Sequence, residues 1–261
     1  MIIGCLLLGL AQASTNPSQV LIYDLSIKGL TVGTRKVTIT YIPASEDNPL
    51  GSRRLESFTE VEAKIHGKKL SYLQRTSAQL SNQTTKKFVS SISVNGQVTE
   101  LQGKQKKDGT WAVNQIISGK VTKKEYSRNG LHAFSLELFD PGQISRWEEG
   151  DRFRFLSLES GELDVLEGTW SSKGQFQLTN AYESISGQKL SIKTDKGGLE
   201  ALWSHTGLLI DWSLTISGIR VDADIRDIPK PPQFGEIAPM KTFSSFCCFF
   251  IDFTLVFEDR V

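Results

Sequence analysis

The chain is expected to be all-β, an antiparallel meander forming a strongly curved sheet or an open or half barrel. Alternation is the first reason. In residues 20–42, Leu21, Tyr23, Leu25, Ile27, Val37, Ile39 and Tyr41 recur at every second position, the period of a half-buried strand. Turn formers are the second reason. Asn95-Gly96, Asp108-Gly109 and Asn129-Gly130 separate alternating stretches, and such pairs favour the tight turns of hairpins. The third is that no stretch of about 12 residues carries a convincing helical period.

The opening hairpin is read as strands 20–28 and 34–42, joined by a loop with Gly29 and Gly33 at its ends. Residues 42–51 are a loop rich in turn formers. Strands follow over 53–66 and 69–76, split by Gly67-Lys68. Residues 79–94 form a long Ser/Thr-rich strand that Asn95-Gly96 ends. Further strands are expected over 97–106, 110–118 and 120–127, then a strongly apolar strand over 131–139. Asp140-Pro141-Gly142 breaks the pattern and marks where two halves could meet, near 140–150. Residues 143–149 are the best helical candidate, one or two turns long. The second half is read as short strands over 152–158, 163–171, 176–182, 189–194, 199–203, 208–216 and 218–224, with turns at Gly174-Gln175, Gly187-Gln188, 195–198 and 204–207. No fixed repeat is present, which disfavours a propeller or solenoid.

At 261 residues with a net charge of +1, the chain has ample length for a core and no global bias toward nucleic acid. Charge is uneven along it. Residues 63–99 hold six basic residues and no acidic one. Lys64, Lys68, Lys69, Lys86 and Lys87 are the candidate contacts to an anionic surface. The plainer reading is that these lysines decorate outer strand faces and deter edge pairing. Few aromatics interleave with them, so nucleic acid is not expected as a partner. Of three cysteines, Cys5 is in the leader and Cys247 and Cys248 in the tail, leaving no disulfide framework, CxxC metal site or thiol nucleophile in the body.

Residues 1–13 read as a cleaved export signal, an apolar run ending in Ala11-Gln12-Ala13 and too short to span a bilayer. No Lys or Arg precedes the run, so the true start is expected upstream of Met1 or the positive n-region is missing. A lipid-attached Cys5 is disfavoured because the run stays apolar after it. Residues 14–235 form the β domain. Residues 228–239 hold four of the eight prolines and form a strap or an exit from the domain. Residues 236–261 are an atypical hydrophobic tail, with six of the fourteen Phe after Met240. It is read as a docking element, an anchor, or the product of a shifted reading frame.

Three stretches carry a family resemblance. They are Tyr23 with Ile27-Lys28-Gly29-Leu30-Thr31-Val32-Gly33-Thr34, then Ser184-Ile185-Ser186-Gly187-Gln188-Lys189-Leu190, and Leu202-Trp203-Ser204-His205-Thr206-Gly207-Leu208-Leu209 before a proline-rich end. In this order they resemble exported bacterial domains of unknown function of the DUF3108 and DUF6134 type. The resemblance implies an exported curved sheet or open barrel and carries over no catalytic residue.

Chemistry-bearing constellations are sparse. His66, His132 and His205 lack metal-ligand spacing, and His66 and His205 sit beside turns. Asp222, Asp224 and Asp227 lack the glycine and terminal glutamate of a calcium loop, and Asp222 and Asp224 fit an outward strand face. Glu148, Glu149 and Asp151 are candidates for paired carboxylates only if a cleft sets a second acid opposite them. No nucleophile elbow or phosphate loop is present. Asn82-Gln83-Thr84 is a glycosylation sequon. Trp111, Trp147, Trp170, Trp203 and Trp212 are expected in core or rim packing, with a lined cavity as the alternative.

No catalytic residue, metal ligand or cofactor is therefore assigned, and the protein is not expected to be an enzyme. The expected function is that of an exported envelope or periplasmic protein holding a lipid or other apolar small molecule in a concave sheet. A structural or interaction module on an anionic surface or an envelope protein is the alternative, and a carbohydrate-active enzyme the second.

Overall fold

In the computed structural model, the described residues are 17–45, 51–65, 67–81, 84–127, 130–131, 133–140, 152–179, 184–194, 197–205, 207–216 and 219–226. Met1–Lys230 is one compact unit; Pro231–Val261, a separate unit, lies outside the described residues, as do the leader, the 143–149 helical candidate and the proposed division near 140–150.

Fifteen strands are described: β1 (Ser18–Ile27), β2 (Leu30–Ile42), β3 (Ser52–Ile65), β4 (Lys68–Ser81), β5 (Thr84–Val94), β6 (Gln97–Gln105), β7 (Trp111–Ile117), β8 (Lys120–Tyr126), β9 (Ala133–Phe134), β10 (Arg152–Leu156), β11 (Val165–Thr179), β12 (Ser184–Thr194), β13 (Gly197–Ser204), β14 (Leu209–Ile216) and β15 (Ile219–Ile225). A 3₁₀ helix, Ser135–Phe139, follows β9. All strands belong to one sheet in the order β8-β7-β6-β5-β4-β3-β2-β1-β15-β14-β13-β12-β11-β10-β9. Every pairing is antiparallel except β9 with β10. The sheet is a large curved meander, as expected, and is not closed: β8 and β9 end the order without pairing with each other.

The middle of the sheet is the seam between the first and last described strands. Tyr23 lies opposite Ile225 and Leu25 opposite Ala223, so β1 is flanked by β2 and β15. Two wings leave this seam and curl toward one another. Bulges bend them at Leu25/Ser26, Gln79/Leu80, Ser172/Gln175 and Leu202/Trp203, each adding local twist.

Several expected boundaries move. Lys28 and Gly29 have φ of 53° and 77°, so β1 and β2 meet in a two-residue type I′ turn. Gly33 is inside β2 rather than at a loop end; a Cβ there would lie 2.0 Å from the Glu60 carbonyl oxygen. Asn95-Gly96 is the expected tight turn, with φ of 51° and 86°. β4 runs on to Ser81, so the stretch 79–94 is divided between β4 and β5 rather than being one strand. Gly174 lies within β11, where a bulge absorbs the irregularity that reads as a turn, and Gly187 lies within β12, paired in register with Phe176 and Ser204. The apolar run 131–139 is not a meander strand. All its described residues are buried, polar Ser135 and Glu137 included, so it has no solvent face, and after two residues of β9 it coils inside the roll.

The core lies on the concave face. Leu21, Tyr23, Val37, Ile39, Leu55, Leu101 and Ala223 are fully buried. The Tyr23 hydroxyl donates to the Leu209 carbonyl at 2.8 Å, which satisfies its only polar group; burial raises its pKa. Trp111, Trp203 and Trp212 pack in this core, as expected, and Trp203 Nε1 donates to the Leu138 carbonyl at 3.2 Å. Trp147 and the Trp170 side chain lie outside the described residues. Phe88, Trp111 and Phe134 form an aromatic cluster, with ring centroids 4.6–5.9 Å apart.

Gly103 makes that cluster possible. It sits opposite Phe88 on β6, and a Cβ there would lie 2.0 Å from the Phe88 ring. The ring is pinned by Trp111 and Phe134 and cannot swing away. Gly103→Ala is therefore expected to cost about 1–3 kcal/mol, as overpacking does. Urea unfolding measures it, and Phe88→Leu in the same chain should recover part of the loss.

Candidate functional site

Alternation puts polar as well as apolar residues on the concave face. Arg35 of β2, Ser57 and Thr59 of β3, Gln74 and Thr76 of β4 and Ser90 of β5 are each 5% exposed or less. In register, Ser57 faces Thr76 and Thr76 faces Ser90; Arg35 faces Thr59 and Thr59 faces Gln74. They form a polar stripe across four strands. Buried polar groups need partners; Ser57 and Thr76 find theirs within the stripe, and Arg35, Gln74 and Ser90 also reach one short stretch between β10 and β11.

That stretch, residues 157–163, crosses the concavity. Arg35 Nη2 donates to Glu159 Oε1 at 3.0 Å, and Arg35 Nε to Ser57 Oγ at 3.0 Å. The guanidinium also lies 4.7 Å from the Phe139 ring centroid and 5.5 Å from that of Trp212. Gln74 Nε2 and Ser90 Oγ donate to the Leu158 carbonyl at 2.8 and 3.4 Å. The Tyr72 hydroxyl donates to the Glu159 carbonyl at 3.1 Å, and Gln115 Nε2 to that of Gly161 at 2.7 Å. On β8, Lys124 Nζ donates to the Leu163 carbonyl at 3.0 Å and the Tyr126 hydroxyl donates to the same oxygen. Burial raises the pKa of Tyr72 and pushes Tyr126 up to about 12, so both phenols stay protonated donors. Among the described residues, the cavity left beside Arg35, Phe139, Glu159 and Trp212 holds about 20 Å³, about one water. The concave face is filled by the chain itself.

Open space lies at one end of the roll. A cavity of about 440 Å³ is lined by Trp111, Leu131 and Phe134 on its apolar wall, by Lys86, Lys106 and Lys107 at its polar edge, and by Glu137, among others. The β4–β5 bulge sends Lys86 out of regular alternation, and its Nζ donates to Gln105 Oε1 at 2.9 Å. Lys106 Nζ pairs with Glu125 Oε1 at 2.6 Å. Buried Glu137 accepts from the Thr85 amide at 3.1 Å and from the Thr85 hydroxyl. The site is a mainly polar cavity with one apolar patch, Trp111, Leu131 and Phe134, and with Asp108 beside the lysines in its lining.

Of the four candidate lysines whose side chains are described, only Lys86 lines this cavity. Lys64 and Lys69 are cross-strand partners on the outer face, and Lys69 Nζ lies 3.4 Å from Glu62 Oε2. Lys87 is outward, opposite Lys104 on β6 and Gln79 on β4. Ten residues of β4 separate Lys69 from Gln79, roughly 34 Å of strand, so the lysines form two groups at opposite ends. The Lys68 side chain lies outside the described residues, as do His66, His132, Asp227, Glu148, Glu149, Asp151 and Asn82-Gln83 of the sequon. His205 is exposed in the turn after β13, as expected. Sequence reading did not single out Lys106 and Lys107, and it missed Leu131, Phe134 and Glu137, since nothing local shows that 131–139 folds inward.

Asp222 and Asp224 do occupy an outward strand face. Asp224 sits between Asp24 on β1 and Asp211 on β14. Arg226 hydrogen-bonds Asp24 and holds its carboxyl below the usual range. Among the described residues, no group of acids and histidines is placed to hold a metal ion. Asp211 is pushed up to about 6 by partial burial, then by Asp224 and Asp222.

A comparison with solved structures finds the crystal structure of a beta-barrel-like protein of domain of unknown function DUF1849 from Brucella abortus. It superposes with a TM-score of 0.60 at 12% identity, covering 82% of this chain and 98% of that one. The likeness establishes a β-barrel-like fold shared with an uncharacterised domain. No family model and no curated protein matches the chain.

Because the folded pKa of Asp211 is raised, its contribution is favourable when protonated and is lost as pH rises from about 4 through about 6. The full shift corresponds to about 3 kcal/mol, which solvent screening at this half-exposed site reduces to about 1 kcal/mol. Asp211→Asn should therefore stabilise the protein by about 1 kcal/mol at pH 7–8 and have little effect near pH 4, as read by denaturant unfolding across that range.

Proposed function

We propose that this is an exported, non-enzymatic protein of the cell envelope or periplasm that holds an anionic amphiphile in the end cavity of its roll. The observation that carries the reading is the 440 Å³ cavity, with Trp111, Leu131 and Phe134 inside and Lys86, Lys106 and Lys107 at its edge. Its volume lies in the usual range for ligand sites, roughly 300–1,000 Å³. The apolar patch of Trp111, Leu131 and Phe134 favours the apolar part of such a ligand through removal of surface from water; the lysines of the otherwise polar lining favour a carboxylate or phosphate head while their ammoniums stay hydrated. The ligand class is the apolar or lipid molecule expected from the sequence. The place differs, because residues 157–163 fill the concave face. Export rests on the leader, and kinship with the DUF3108 and DUF6134 type is kept within this proposal. A basic outer face has weaker support, because its lysines stand in two separated groups with Glu62 beside Lys69.

The test uses laurate below its micelle concentration, with dodecanol as the neutral control and tryptophan fluorescence as the readout. One-to-one saturable binding of laurate is expected, tighter than dodecanol, weakened several-fold by Lys107→Glu and by salt. Absence of saturable binding, or equal binding of both compounds regardless of Lys107, would overturn the reading.

A further inference from the structure

The stretch that fills the concavity is held in an unusual way. Side chains from the wall strands β4, β7 and β8 converge on its main chain. Gln74 of β4 reaches the carbonyl of Leu158, Tyr72 of β4 that of Glu159, Gln115 of β7 that of Gly161, and Tyr126 of β8 that of Leu163. Such bonds take no account of which residue carries the carbonyl, and main-chain bonds of this kind supply the affinity in peptide recognition. Three positions are read by side chain. Leu158 is 1% exposed, which demands an apolar residue. Glu159 meets the buried guanidinium of Arg35 at 3.0 Å, which demands a carboxylate. Gly161 has φ of 70°, and a Cβ there would lie 3.2 Å from Ile92 and 3.3 Å from Thr99, which demands glycine. Ser160 is exposed and bonds only within the turn, its Oγ donating to the Ser157 carbonyl and accepting from the Glu162 amide, each at 3.2 Å, so the wall does not read it.

From this arrangement we infer that the inner wall of β2–β8 is a peptide-recognition groove for a turn of the form apolar–acidic–any–glycine, and that residues 157–163 are its resident ligand. Any buried segment needs partners for its carbonyls; this wall supplies donors to those of residues 158, 159, 161 and 163, and in addition a cation where one acidic side chain falls. The partner is a peptide of that pattern from another protein, admitted when it displaces the resident segment. The resident copy competes at the high effective concentration of an intramolecular ligand, so the groove is mostly occupied and the apparent affinity in trans is reduced by the fraction that is open.

The test uses a fluorescently labelled nine-residue peptide with the sequence of residues 156–164 and the full chain. Glu159→Gln in the chain removes the charge that holds the resident segment while keeping its size. This variant should bind the peptide one-to-one and at least tenfold tighter than the unsubstituted chain does. Binding should be lost when the peptide itself carries Glu159→Gln or Gly161→Ala. In the unsubstituted chain, excess peptide should speed hydrogen exchange at amides 157–163 without changing exchange across β1 and β15. If a folded Glu159→Gln chain does not bind, or binds the Gln peptide equally well, the inference is overturned. Should that variant not fold, unchanged exchange in the unsubstituted chain at millimolar peptide overturns it instead.

Discussion

The ion pair between Arg35 and Glu159 is the constraint on which the interior depends. A guanidinium 2% exposed inside a curled sheet costs several kcal/mol in lost hydration unless paired and hydrogen-bonded. Ser57 supplies one acceptor, the rings of Phe139 and Trp212 supply their faces, and Glu159 supplies the charge. Glu159 lies 124 residues from Arg35 along the chain. Satisfying Arg35 therefore brings residues 157–163 back across the concavity, where Gln74 of β4 and Ser90 of β5 become partners for that stretch.

The same return explains how the roll stays folded without closing its ladder. β8 and β9 end the sheet unpaired with each other. Tyr126 and Lys124 of β8 bond to the Leu163 carbonyl, and Phe134 of β9 packs against Trp111 of β7. Side chains bridge a gap that strand pairing leaves open. At the opposite side of the roll, β1 and β15 are joined across some two hundred residues of chain, Asp24 opposite Asp224. Both closures are long-range, so this topology belongs with slowly folding β proteins, whose loop-closure entropy must be met before the contacts form. The end cavity is a consequence of the design: the inner segment fills the middle of the roll, and space is left where β5, β6 and β7 run past Leu131 and Glu137.

How much of this was legible depends on distance along the chain. Local signals worked: Asn95-Gly96 turned as a type I′ pair and the alternation in β1 and β2 predicted the inner face. Signals that mixed two scales misled. Gly33, Gly174 and Gly187 looked like turns because glycine marks turns more often than it marks a close backbone approach or a bulge. Leu131–Phe139 carried the β-rich composition of a strand, but a run buried on every side has no outward face to place in a sheet. The seam between β1 and β15 left no local trace. Arg35 did leave one, since it shares parity with Val37 and Ile39, and a charged residue at an inward position calls for a buried partner. The Ser/Thr/Gln content of β3 to β5 reflects an interior filled by a polar-bonded segment of the chain.

A double-mutant cycle on Arg35→Met and Glu159→Leu tests this account most directly. Each single change leaves a buried charge without its counter-charge and should cost about 3–5 kcal/mol of unfolding free energy. The double variant, apolar on both sides, should recover most of that loss, giving a coupling above about 2 kcal/mol. Costs that add within about 0.5 kcal/mol would mean that the pair does not organise the interior, and would contradict the account.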